Sequence, residues 1–134
     1  MLEITPIQTK KEQEEICGLC GVNFDVNCLA YAVRENGKLI GISQFRILGE
    51  YAVIYNLANT RGVNDVNALA ITGRATLNFI DLCGVQDVII QVDESENEST
   101  KNQELLRLLG FKQDGGVWRV NLEGYFVPCH AASK

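Results

Sequence analysis

Few residues in this chain have types and spacings that suggest chemistry. Cys17 and Cys20 stand in CGLC, the spacing of half a zinc site or of a redox pair. A closed zinc site needs four ligands, yet neither a second C-x-x-C nor an H-x-x-x-H follows, and His130, the single histidine, sits in the polar tail VPCHAASK. A redox pair belongs between a strand and the start of a helix, whereas this one ends a helical pattern. The expectation is two cysteines packed as small apolar groups, with no metal. A second feature is Arg61-Gly62 in NTRGVNDVNALA, a loop entering a long helix. Successive backbone N–H groups and the positive end of a helix can hold a phosphate there. Asp65 opposes this, because at the helix start it occupies the positive end itself.

Composition narrows the field. A net charge of −5 and a pI near 4.8 argue against an electrostatic grip on nucleic acid or anionic lipid. No apolar run approaches the roughly 20 residues a membrane-spanning helix needs. Five cysteines without a signal-like segment imply reduced thiols, hence a cytoplasmic protein. No linker or repeat interrupts the chain. We expect one domain over 1–134, with a core over 2–122 and a tail over 127–134.

The elements that must position these residues follow from periodicity. LEITPI reads as a short strand confined by Pro6 to an edge. Thr9 caps a helix through about Leu19, with Ile16 and Leu19 as its apolar contacts. LAYAVRE, Asn36-Gly37 and KLIGISQFRIL form a hairpin signal, because Asn-Gly accepts the positive φ of a type I′ turn. Gly49-Glu50 turns into YAVIYNLA, which completes a meander. The period then changes to about 3.6: Val66, Leu69, Ala70, Gly73, Leu77 and Ile80 mark a long helix ending near Gly84. Gly73 inside it suggests close packing. VQDVIIQVD is a central strand. STKNQELLRLLGF is a short helix capped by Ser99 or Thr100, with Leu105, Leu108 and Leu109 buried, and a hairpin through Asp114-Gly115-Gly116 closes the chain.

This order, with ENGKLIGISQF, CGVQDVIIQVD and NQELLRLLGF at their spacings, resembles the GNAT family of acyl-CoA-dependent N-acetyltransferases over about Leu2 to Leu122. The resemblance implies an α/β (α+β) fold, a mixed twisted sheet of six to seven strands with three to four helices. It also implies a sheet that splays open between its fourth and fifth strands, where the pantetheine arm of acetyl-CoA lies. The implied partner is a small-molecule or protein amine.

Carried over position by position, the resemblance puts the backbone of Leu57 and Ala58 against the pantetheine, with Asn56 and Asn59 flanking, and polarises the thioester carbonyl there. Arg61 and Gly62 fall in the family's Q/R-x-x-G-x-G/A phosphate loop. Its glycine positions are Asn64 and Val66 in one register, Asn67 and Leu69 in the other. The family's tyrosine acid, four residues before the glycine of GF, is Leu106 here. Tyr55, Tyr51 or Tyr125 could replace it, with Tyr55 preferred as the catalytic acid. Glu50, Asp93 and Glu94 are the acidic candidates for a base, and Asp93 is preferred because it follows a central strand's C-terminal end. Trp118 and Arg119 read as core and surface. Two functions follow: an acetyltransferase with a nonstandard loop, or an inactive module of the same fold, dimerising through its meander edge or last hairpin.

Overall fold

A computed structural model describes residues 1–91 and 103–126. Asp93, Glu94, Ser99, Thr100, Cys129 and His130 lie outside the described residues. The elements run β1 (Leu2–Pro6), α1 (Lys10–Cys20), β2 (Leu29–Glu35), β3 (Lys38–Leu48), β4 (Tyr51–Asn59), α2 (Val66–Leu82), β5 (Asp87–Ile90), α3 (Gln103–Leu108), β6 (Lys112–Asp114) and β7 (Val117–Asn121). One seven-stranded sheet has the order β1-β2-β3-β4-β5-β7-β6. All its pairs are antiparallel except β4 with β5.

Local chemistry sets these boundaries. Pro6 ends β1 at the sheet edge. Asn36 and Gly37 both have positive φ, 53° and 84°, as a type I′ turn requires. The Thr9 hydroxyl accepts the Glu12 N–H at 3.1 Å, and Gly21, at φ 69°, stops α1.

The helices cover different faces. Ile16, Cys17 and Cys20 of α1 pack with Ala30, Ala32, Ile42 and Ala58 on one face. On the other, α2 and α3 pack Leu69, Leu77, Ile80, Leu105 and Leu109 against Phe45, Ile54, Leu57, Val88 and Trp118.

Two helix contacts differ from expectation. The α1 stripe is Gln13, Ile16, Cys17 and Cys20, which leaves Leu19 about 110° around the helix and 54% exposed. In α3 the buried residues are Leu105 and Leu106, followed by the buried Leu109 just past its end, while Leu108 is 53% exposed. Leu106 and Leu108 both suit a helical period, and the face presented to α2 selects Leu106.

Candidate functional site

Among the described residues, β4 runs on past the last residue paired with its parallel neighbour β5. Pairing runs from Tyr51↔Asp87 to Ile54↔Ile90, and one further bond, from the Gln91 N–H to the Ile54 carbonyl at 3.1 Å, closes it. Beyond that bond β4 continues through Tyr55 to Asn59 against β3.

A bulge begins the continuation. Gln44 pairs with Asn56 and Phe45 with Ile54, so Tyr55 is the extra residue. The bulge explains why Ile54 and Leu57, three apart, both reach the α2 face when a regular strand alternates by two. It also turns Asn56 to the α1 face, into a buried amide network. Gln44 Nε2 donates to Asn56 Oδ1 at 2.6 Å and to the Asn23 carbonyl at 2.8 Å, while Gln13 Nε2 donates to Gln44 Oε1 at 2.9 Å. Gln13, Gln44 and Asn56 are all buried. The network clamps the 22–28 loop over the bulge. Reading by hydrophobic period missed it, because a glutamine on an otherwise polar helix carries no periodic signal.

Asn59 ends β4 and holds the next helix. Its Nδ2 donates to the Ile40 carbonyl at 3.2 Å and the Asp65 carbonyl at 3.3 Å, and its Oδ1 accepts the Asp65 N–H at 3.1 Å. Asp65 caps α2 as expected, taking the Ala68 N–H at 3.0 Å.

The intervening loop bonds to its own protein. The Arg61 N–H donates to the Leu19 carbonyl at 2.9 Å, and the Val63 N–H to the Thr60 carbonyl at 2.9 Å. The Arg61 guanidinium lies against Gly21, so close that a Cβ there would stand 2.9 Å from Nε. The arginine thus sits over the carbonyl end of α1, where a cation is stabilised. Cys20 Sγ lies 4.0 Å from Thr60 Oγ1. Burial pushes the Cys20 thiol up to about 11, against the lowering effects of the Thr60 hydroxyl and the Arg61 charge.

Other expected residues sit elsewhere. Leu106 is buried in the core. Glu50, Tyr51 and Tyr125 share a cavity of about 950 Å³ with Asp87, Arg119 and Asn121. Tyr51 lies six residues before Leu57, about 20 Å along the strand at ~3.3 Å per residue. The Tyr125 hydroxyl donates to the Leu109 carbonyl at 2.6 Å, and burial raises its pKa although Arg74 acts to lower it. Tyr55 is half-buried in the bulge. Trp118 is core and Arg119 exposed, pairing with Asp114 at 3.3 Å.

Cys17, Cys20 and Cys28 are buried and Cys83 is exposed. Among the described residues no group of three or more His, Cys, Asp or Glu could hold a metal.

Comparison with known proteins gives the architecture its context. No protein-family model matches the chain, and no curated protein matches it. Solved structures do. The spermidine/spermine N-acetyltransferase SpeG from Vibrio cholerae superposes with TM-score 0.71 at 11% identity, over 93% of this chain and 97% of that one. The PaiA N-acetyltransferase from Thermoplasma acidophilum, solved with coenzyme A, gives 0.68 at 11% identity over 90% and 99%. A GNAT family acetyltransferase from Elizabethkingia anophelis, with acetyl-CoA bound, gives 0.64 at 12% identity over 90% and 98%.

This chain has the GNAT acyltransferase fold. The likeness spans nearly the whole of each partner, so the seven strands and three helices constitute the GNAT architecture rather than a fragment of it. The β4–α2 loop does not suit a pyrophosphate: the amides of Arg61, Val63, Asp65 and Ala68 have acceptors inside the protein, and a carboxylate already sits at the helix end. Among the described residues no helix is long and apolar enough to cross a membrane.

Proposed function

We propose that the chain transfers an acyl group from a thioester to an amine beside the part of β4 that runs on past its pairing with β5. The observation that carries this is the end of β4–β5 pairing at Ile54↔Ile90 while β4, bulged at Tyr55, runs on to Asn59. In this reading Leu57, Ala58 and Asn59 form the wall along which an extended thioester arm lies. A backbone N–H aimed at the thioester carbonyl would stabilise the oxyanion that forms when the amine attacks. In the balanced step the amine nitrogen bonds the carbonyl carbon and the carbon–sulfur bond breaks. Asp93 receives the proton the nitrogen loses, and Tyr55 supplies one to the departing thiolate. Arg61 and Gly62, at the far end of the wall, complete the set as the loop through which the arm leaves. The acidic chain favours a cationic amine over an anionic acceptor, and a cytoplasmic setting supplies reduced thiols and acyl thioesters.

The test is mass-spectrometric detection of acylated product after incubation with acetyl-CoA and a panel of diamines and peptide N-termini. Product that is lost in Tyr55→Phe supports the reading, and absence of product across the panel overturns it. A second reading, a module that keeps the GNAT fold without its chemistry and dimerises by a sheet edge, is favoured by the self-bonded loop and by Leu106 in place of an acid. Absence of any thioester binding would select it.

A further inference from the structure

Resting on the proposed acyl transfer, we infer that Gln44 is a positioning residue: it selects which residue of β4 is bulged out, and so places Tyr55. The flanks of the bulge are fixed by the core. Phe45 pairs with Ile54 and Ser43 with Leu57, and all four are buried. Phe45, Ile54 and Leu57 share the α2 face, and the Ser43 hydroxyl is held there, 2.8 Å from that of Thr76. Between those two pairs β3 has one residue, Gln44, and β4 has two, Tyr55 and Asn56. Either of the two could stand opposite Gln44 and leave the other unpaired. Core packing does not choose between them, because both arrangements keep the same flanking pairs.

The Gln44 side chain makes the choice. A primary amide has two hydrogens to donate and two lone pairs to accept with, and Gln44 uses all four. Its Nε2 donates to the Asn23 carbonyl at 2.8 Å and to Asn56 Oδ1 at 2.6 Å. Its Oε1 accepts from Gln13 Nε2 at 2.9 Å and from the Asp25 N–H at 3.4 Å. Two of these partners, the Asn23 carbonyl and the Asp25 N–H, are backbone groups whose polarity cannot be reversed. They fix the sense of the amide, so an N–H of Gln44 meets β4 and the residue opposite must accept. Asparagine there supplies an oxygen within reach. Tyrosine in its place would carry its hydroxyl away at the far end of a ring, leaving a fully buried N–H of Gln44 unpaired, which is destabilising. Gln44 therefore keeps Asn56 opposite itself and makes Tyr55 the extra residue.

The same amide ties the bulge to the loop between α1 and β2. Asn23 and Asp25 belong to that loop, and Gln13 Nε2 also lies 3.3 Å from the Asp25 carbonyl and 3.3 Å from the Cys28 carbonyl. The Gln13 oxygen in turn accepts from Lys10 Nζ at 3.1 Å. Helix and loop thus form one hydrogen-bonded unit, and Gln44 links that unit to β4.

The experiment compares Gln44→Met with Gln13→Met in the full-length chain, by cross-strand NOEs of the ¹⁵N,¹³C-labelled protein and by steady-state transfer from acetyl-CoA to the diamine or peptide amine that gives product with the natural chain. In Gln44→Met the cross-strand contact of residue 44 should pass from Asn56 to Tyr55, wholly or in part, while the Phe45–Ile54 and Ser43–Leu57 contacts persist. Its kcat should fall about tenfold or more while KM for acetyl-CoA changes by less than about threefold. Gln13→Met also unmakes buried hydrogen bonds but spares the one from Gln44 to Asn56, so it should keep both the 44–56 contact and kcat. Where Gln44→Met does not fold, Asn56→Ala removes the same bond from the β4 side, and the NOEs of Tyr55 are read there alone. A 44–56 contact kept in Gln44→Met, or lost equally in Gln13→Met, overturns the inference whether or not the chain turns over. An unchanged kcat in a chain whose bulge has moved overturns the positioning role. No product from the natural chain overturns the acyl-transfer reading and the part given to Tyr55 in it, and the NOEs then decide the bulge by themselves.

Discussion

Replacing Gly73 by alanine puts two opposing effects in the middle of α2, and the structure decides their sign. On propensity alone alanine is better than glycine in a helix interior by about 1 kcal/mol. The added methyl, however, would stand 2.7 and 3.0 Å from the two methyls of Leu109 and 3.2 Å from a methyl of Leu57, where carbon contacts are comfortable near ~3.5–4.0 Å. Overpacking of that kind costs about 1–3 kcal/mol. Both neighbours are fully buried, so neither can swing into solvent. We expect a net loss of about 1–2 kcal/mol, read as a lower urea midpoint at unchanged slope. Leu109→Ala removes both crowding methyls and costs about 2–5 kcal/mol itself. Against that background Gly73→Ala should become neutral or stabilising, a coupling of about 2 kcal/mol in the double-mutant cycle. Stabilisation by Gly73→Ala in the natural chain would refute the reasoning. The site is involved because Leu57 is one of the displaced residues.

Two further outcomes test the network and the thiols. Gln44→Leu takes one partner each from Gln13, Asn56 and the Asn23 carbonyl; with about 1–3 kcal/mol for a buried polar group left short, we expect a loss of about 2–4 kcal/mol by urea unfolding, and a loss below about 1 would mean the network relaxes without cost. In a Cys129→Ser chain, a thiol reagent at pH 8 should modify Cys83 at once and Cys17, Cys20 and Cys28 only on unfolding. The last two are pushed up from 9.0 to about 11 and about 12, chiefly by burial. The folded state therefore keeps these protons where the unfolded chain releases them, so their contribution is constant below about pH 9 and stability falls as pH rises from there through the folded values. A stability flat from pH 9 to 11 would contradict the burial.

The parts of this molecule legible in the sequence are those that a period or a turn residue writes directly. Asn36-Gly37 announced its hairpin, Thr9 and Asp65 their caps, Gly73 its close contact, and the change of period at Val66 the long helix. Leu19 and Leu108 were misplaced because a short amphipathic segment offers two apolar stripes, and only the partner surface chooses between them. The amide network was illegible for a related reason: Gln13, Gln44 and Asn56 are far apart in sequence and polar, and what buries them is the bulge at Tyr55, a feature of pairing rather than of composition. The inward direction of the Arg61 and Asp65 amides was not legible, since it depends on Leu19 and Asn59 arriving beside them.

The cap at Asp65 has an energetic meaning for any anion near the start of α2. A helix N-terminus contributes about 0.3–1 kcal/mol to an anion near it, up to ~2 when partly buried. Two unit charges 4 Å apart repel by about 1 kcal/mol in water and about 4 kcal/mol at an effective dielectric of 20. A second charge doubles both terms, so a carboxylate at that distance offsets the helix end in water and outweighs it at an effective dielectric of about 20. Displacing Asp65 from the cap instead forfeits about 0.5–2 kcal/mol of helix stability and strands the amide it satisfies. The same aspartate that lets α2 begin cleanly after β4 thus sets a negative charge where the helix end would otherwise draw an anion.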